Sequence, residues 1–173
     1  YFNLDKNRII TSTEALSLKE VPENLIIIGA GVIGLELGSV YARMGSQVSV
    51  IDVGPNILSS MDQSLGKELK KVLTRDLGFK FYMSHKVEKV TANKTSVKLL
   101  AKSSTDELLN LNADYCLVAI GRQPYTQALN LEKAGVNLSQ RGQISVNNLL
   151  QTSSPNIYAI GDVVEGVMLA HKA

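Results

Sequence analysis

Apolar residues in this chain gather into short runs set off by glycine, proline and asparagine, and the spacing inside each run predicts its element. After Pro22 the run Leu25-Ile26-Ile27-Ile28 has no polar interruption, the pattern of a parallel strand covered on both faces. Ile33, Leu37, Val40, Tyr41 and Met44 then recur at helical spacing, which predicts a helix ending at Gly45. Val48, Val50 and Ile51 predict a second strand that closes at Asp52, where Gly54-Pro55-Asn56 turns the chain away. Strand, helix and strand in that order make a βαβ unit.

A second helix is marked by Asp62 as N-cap, by Leu65, Leu69, Val72, Leu73 and Leu77, by the late basic residues Lys70, Lys71 and Arg75, and by Gly78 as stop. Phe79 to Met83 supplies a third strand. From Val87 to Leu111 the period shortens: Val87 to Val90, Val97 to Leu99 and Leu108 to Leu111 are β-type runs between turns, which fits an antiparallel meander. Tyr115 to Ile120 is again continuous and apolar and is expected to rejoin the parallel sheet before Gly121-Arg122-Gln123-Pro124. Beyond Pro124 the pattern loosens to a short helix at Gln127 to Ala134, a strand at Ile144 to Val146, and a strand at Ile157 to Ile160 read as buried on both faces. The expectation is an α/β protein, a Rossmann-like three-layer domain whose parallel sheet is joined by an antiparallel β-meander.

Composition narrows the partners. Hydrophobic residues make up 45% of the 173 and charged residues 20%, the balance of a globular chain with one good core. Lysine and arginine number 18 against 16 acidic residues and form no run, which argues against nucleic acid or an anionic membrane and for a small molecule. No apolar stretch approaches the ~20 residues of a membrane-spanning helix. The single cysteine, Cys116, excludes a disulfide or a multi-cysteine metal site within the chain, and no metal site is expected. The opening Tyr1-Phe2-Asn3-Leu4 has neither an initiator Met nor a targeting pattern, so the chain is expected to be a piece of a longer one.

The candidate chemistry sits at the first turn. Gly29-Ala30-Gly31-Val32-Ile33-Gly34 is a G-x-G-x-x-G motif, weak as a bare string but strong between a predicted strand and a predicted helix. The first glycine permits a tight turn, the second lets backbone amides approach a pyrophosphate, and the third allows close helix packing. The helix N-terminus adds unpaired N–H groups. The bland alternative is a glycine turn that binds nothing. Asp52 follows Gly34 by eighteen positions, where a carboxylate is expected to bond the adenosine ribose hydroxyls and to repel a 2′-phosphate. Val53 and Gly54 bring no arginine to hold that phosphate, and the next basic residue is Lys67, so NAD is preferred over NADP. An aspartate that merely starts the turn toward Gly54-Pro55 is the alternative.

Four pieces of the chain carry a resemblance: residues 15–22 (ALSLKEVP), 29–40 (GAGVIGLELGSV), 119–124 (AIGRQP) and 156–164 (NIYAIGDVV), the last leading into Met168-Leu169-Ala170-His171-Lys172-Ala173. Together they resemble the pyridine nucleotide-disulfide oxidoreductases, and the C-terminal Met-Leu-Ala-His after Gly-Asp resembles their lipoamide dehydrogenase branch. The resemblance implies that Gly29, Ala30, Gly31, Val32, Ile33, Gly34, Leu35, Glu36, Asp52, Val87 and Gly121 line an NAD site. It places Asp162, Met168, Leu169, Ala170 and His171 on FAD, with Asp162 bonding a ribityl hydroxyl and the following residues opening a helix toward the flavin. Glu36 reads equally as a carboxylate at the nicotinamide end or as a solvated helix charge. Asp52 departs from the family, which usually carries Glu there.

For organisation, the resemblance implies that residues 1–20 are a lead-in from an FAD domain, 21–124 an NAD-binding domain, and 125–173 a segment belonging to a neighbouring FAD domain. The whole enzyme would pass electrons from dihydrolipoyl groups through a redox disulfide and FAD to NAD, as a homodimer serving the dihydrolipoyl domain of a 2-oxoacid dehydrogenase complex. Its setting would be the bacterial cytoplasm, or failing that an organelle matrix. The redox cysteine pair would precede Tyr1 and the catalytic His-Glu pair follow Ala173, so these residues alone are expected not to turn over and to hold no catalytic residue. Cys116 is then a buried core thiol, His171 a backbone donor and His85 a surface residue. Alternatives are another NADH-linked flavoprotein reductase or oxidase, and a non-catalytic NAD-binding module.

Overall fold

The computed structural model describes residues 2–166 and 168. The chain forms two compact units, Tyr1–Gly121 and Arg122–Ala173. The first contains strand β1 (Ile9–Ile10), helix α1 (Ser12–Ala15), β2 (Asn24–Ile28), α2 (Val32–Arg43), β3 (Gln47–Ile51), α3 (Gln63–Leu77), β4 (Lys80–Tyr82), β5 (His85–Ala92), β6 (Val97–Ser103), β7 (Leu108–Ala113) and β8 (Tyr115–Val118). Five of these form a wholly parallel sheet in the order β1-β8-β2-β3-β4, and β5-β6-β7 form a separate antiparallel sheet. The parallel sheet with an antiparallel meander is what the sequence pattern predicts; β1 and the strand order are additions.

The sheet has two dry faces. Leu25 and Ile27 of β2 pack toward the helices with Leu35, Tyr41 and Leu73, whereas Ile26, Ile28, Ile51 and Cys116 pack against Val97, Leu99 and Ala101 of the meander. This is why β2 reads as an unbroken apolar run: both sets of alternate side chains are buried. The second helix starts and stops where its punctuation predicts. Asp62 Oδ1 accepts the Ser64 N–H at 2.7 Å, and Gly78 closes α3 at φ 67°.

Helix α2 lies where expected, with Tyr41 buried and Leu37 packed against the core, but its buried face is centred on its glycines. Gly34, Leu35, Gly38 and Tyr41 are buried, while Val40 and Met44 remain 48% and 50% exposed. A Cβ on Gly38 would stand 2.7 Å from Ile27 Cδ1 and 3.1 Å from Phe79 Cζ, so the helix meets the sheet through its glycines. Of the large apolar residues, Val40 and Met44 lie off that face.

The sheet also takes in an element the hydrophobic pattern did not predict. β1 pairs Ile9 with Cys116 and Ile10 with Leu117, and α1 follows it directly. Thr11 and Glu14 form a capping box: the Thr13 N–H bonds Thr11 Oγ1, and the Thr11 N–H bonds Glu14 Oε2 at 2.9 Å. The Thr11 hydroxyl, then its backbone N–H, hold the Glu14 carboxyl below its ordinary range. The Tyr41 hydroxyl donates to the Ala15 carbonyl and ties α1 to α2.

In the second unit Val136, Ile144, Ala159 and Val164 form a small buried cluster, with 3-10 turns at Leu131–Ala134 and Gly161–Val163. Three expectations are corrected here. The helix from Gln127 shrinks to the Leu131–Ala134 turn, because Ala128 and Asn130 sit at φ 65° and 50°, left-handed values that interrupt a helix. Ile144 makes isolated bridges to Leu138 and Val164 in place of a strand. Ile157 to Ile160 contributes one bridge, Gln151 to Tyr158, and is buried on one side only: Ala159 faces the cluster while Tyr158 and Ile160 are 61% and 60% exposed.

Candidate functional site

Gly29 to Gly34 occupy the turn between β2 and α2, at the carboxyl end of the parallel sheet. The chain leaves β2 toward β3 on one side, and β8 lies on the other, so the turn opens where the strand order reverses. That crevice is where open α/β sheets bind ligands. The Ala119 N–H bonds the Ile28 carbonyl at 2.8 Å, which carries the backbone from Ala119 to Gly121 past the turn.

Each motif glycine has a separate physical reason. Gly29 sits at φ 105°, and a side chain there would overlap the Ala119 carbonyl. At Gly34 a Cβ would stand 2.5 Å from the Gly29 carbonyl oxygen and 2.9 Å from Ile27 Cγ2, so this position seats the helix on the strand. Gly31 differs, because a Cβ there would meet no atom of the described residues within 4 Å. No neighbour among them demands that glycine. It opens space beside the N-terminus of α2, where no side chain caps the first-turn N–H groups. A phosphate fits such a place.

Asp52 starts the turn toward Gly54 and adds a second bond to the glycine motif. Its Oδ1 accepts the Gly54 N–H at 2.7 Å, which makes the turn, while Oδ2 accepts the Ala30 N–H at 2.7 Å, which ties β3 to the glycine motif. A carboxylate offers about four acceptor positions, so lone pairs remain for further donors. The backbone N–H of His85 bonds the Asp52 carbonyl at 2.9 Å, which brings the start of β5 alongside. Val87 follows two residues on, half-buried on the meander's inner face at a bulge between Val87 and Lys89.

Val32 is exposed and Ile33 half-buried at the helix start, Leu35 is buried beneath it, and Glu36 is exposed on α2. Gly121 is exposed at φ 132° with no neighbour for a Cβ within 4 Å. In the second unit Asp162 lies in the Gly161–Val163 turn and pairs with Arg122 at 2.8 Å. Met168 is half-buried outside any regular element, and Leu169, Ala170 and His171 lie outside the described residues.

Cys116 is fully buried between the sheets, and burial pushes its thiol up to about 12. His85 corrects an expectation: it is half-buried, with Nδ1 donating to the Met83 carbonyl at 2.7 Å. Among the described residues no three of His, Cys, Asp and Glu converge as a metal would require, and no helix is long and apolar enough to cross a membrane. The Ala30–Asp52 bond was not legible in sequence, although Asp-x-Gly is a known turn signal for its other half. Thr-x-x-Glu would have revealed α1.

The family model for pyridine nucleotide-disulphide oxidoreductase matches residues 2–173. Dihydrolipoyl dehydrogenase 3 of Pseudomonas putida is 49% identical over 98% of the chain, and the mitochondrial dihydrolipoyl dehydrogenase of Mus musculus is 47% identical over 98%. The chain spans about a third of those relatives, 36% and 34% of their lengths. The HOCl-induced flavoprotein disulfide reductase RclA from Escherichia coli superposes with a TM-score of 0.84 at 33% identity, covering 94% of this chain and 36% of that one.

Proposed function

Since the chain belongs to the pyridine nucleotide-disulphide oxidoreductase family, we propose that its first unit binds NAD in preference to NADP. The observation that carries this reading is the pairing of an open Gly31 cradle with a carboxylate, Asp52, bonded to the adjoining Ala30 N–H. In this reading the amides at the start of α2 take the pyrophosphate, the free lone pairs of Asp52 take the ribose hydroxyls, and Val87 and Gly121 offer an apolar contact and a bare backbone edge. The bound dinucleotide supplies a hydride acceptor. Glu36 is proposed for its nicotinamide end. A 2′-phosphate would meet the Asp52 charge, and the neighbouring Val53 and Gly54 bring no cation.

For the whole protein we propose dihydrolipoyl dehydrogenase activity, in which a dithiol is oxidised and NAD reduced by way of a disulfide and FAD. The high identity to dihydrolipoyl dehydrogenases supports this. It also motivates the proposals of a homodimer, of a dihydrolipoyl domain as partner, and of Asp162 with Met168 to His171 as flavin contacts. Titration of the chain with NADH and with NADPH, followed by nucleotide fluorescence, tests the first proposal. NADH is expected to bind more tightly, and Asp52→Ala to weaken NADH while narrowing the difference. Equal affinities in the unsubstituted chain would defeat the role given to Asp52.

A further inference from the structure

The loop between β3 and α3 holds the glycine motif by a second grip. The Leu58 N–H donates to the Ala30 carbonyl at 3.0 Å, while the Ala30 N–H is held by Asp52 Oδ2 at 2.7 Å. Both polar groups of one buried residue are thus bonded to the segment that follows β3. Leu58 reaches that place at φ 49°, a left-handed backbone that a residue with a side chain rarely adopts. The loop is pinned from behind as well. Ile57 and Leu58 are both buried in the helix-side core, and α3 lies so close that a Cβ on Gly66 would stand 2.9 Å from the Ile57 carbonyl oxygen.

The geometry points to Leu58 as a positioning residue for the dinucleotide, an inference that rests on the NAD reading above. In a planar trans peptide the C=O and the following N–H point in opposite directions. A bond from Leu58 that fixes the Ala30 carbonyl therefore aims the Gly31 N–H the other way, away from the loop. The second glycine is the one whose missing side chain leaves open space. Leu58 acts through this peptide: its N–H sets the direction of a donor for the pyrophosphate. The left-handed φ at Leu58 is what lets its N–H, and not its side chain, face the motif.

Replacing the Leu58 peptide nitrogen by an ester oxygen, with the leucyl side chain kept, removes that donor and otherwise weakens only the Ile57 carbonyl as an acceptor, to which no backbone N–H among the described residues donates. In the full chain the ester is expected to weaken NADH binding roughly five- to ten-fold, the worth of about one hydrogen bond, and Leu58→Met, which keeps the N–H, to bind as the parent does. In the unsubstituted chain the Gly31 amide resonance is expected to shift when NADH is added, a readout that needs no folded variant. An unchanged affinity in the ester, or a Gly31 amide that does not respond to bound NADH, would overturn the positioning role and leave the NAD reading standing. Failure of the unsubstituted chain to bind NADH at all would defeat that reading itself, and this inference with it.

Discussion

The carboxylate of Asp52 accepts the backbone N–H of Ala30 at 2.7 Å, so the end of β3 fastens the turn that follows β2. Ala30 is buried, and its N–H would have no partner without this oxygen. Asp52→Ala is therefore expected to lower stability by about 2 to 3 kcal/mol even without nucleotide, the cost of an unpaired buried donor together with a lost charge-assisted bond. Asp52→Asn keeps one acceptor oxygen and should cost less. Urea denaturation of the two variants measures this; a loss in Asp52→Asn equal to that in Asp52→Ala would show that a single retained acceptor oxygen rescues nothing.

Gly31 and Gly34 should separate binding from folding. Gly34→Ala drives a Cβ to 2.5 Å from a backbone oxygen, a contact only a backbone shift relieves, and should destabilise the chain by about 1 to 3 kcal/mol. Gly31→Ala meets no atom of the described residues within 4 Å, so its stability cost should stay below about 1 kcal/mol, the loss of a glycine at an N-cap. NADH affinity should nevertheless fall in Gly31→Ala. Thermal melts and NADH titrations of both variants supply the comparison, and a Gly31→Ala chain that binds normally would contradict the cradle.

Burial of Cys116 predicts an alkaline limit. Its thiol ionises near 9.0 when unfolded and is pushed up to about 12 in the fold. The folded state therefore keeps its proton after the unfolded state has lost it. Below about pH 9 the group has no effect, and between there and about pH 12 stability should decline by up to about 1.4 kcal/mol per pH unit. Cys116→Ala should flatten that decline in pH-dependent denaturation. Thiol reagents at neutral pH should react with Cys116 only after unfolding.

The second unit should exchange its amide hydrogens faster than the sheet of the first. β2, β3 and β8 are bonded on both edges and buried on both faces, while residues 147–160 rely on turns and an isolated bridge. Hydrogen exchange with mass spectrometry checks this, and equal protection of residues 147–160 and of β2 would refute it.

The elements legible in sequence are those whose signal is local. The apolar run of β2, the Asp62 and Gly78 caps of α3, and the alternating runs of the meander each state their conformation within a few residues. The glycine motif was legible for the same reason, because its neighbours on both sides name strand and helix. What escaped is set through space. β1 is only two residues long and gains its identity from β8, and α2 chooses its buried face by how near its glycines come to Ile27. The grips of Asp52 and Leu58 on Ala30 join residues distant in sequence, and no pattern announces them. In the second unit the apolar residues read as strand interiors, but a small core has room for only every other one.

The pairing of Ile9 with Cys116 sets an order of events during synthesis. β1 is made first among the strands, yet its partner in the sheet is made last, more than a hundred residues later. At translation rates of about 5 to 20 residues per second the β1 segment waits roughly 5 to 20 s with its hydrogen-bonding edge unmet. β2 and β3 can pair at once, but one edge of β2 also waits for β8. The ribosome therefore delivers a half-sheet with an open edge at the very strand that leads into the glycine turn, and the crevice at that turn acquires its second wall only when Ala119 arrives.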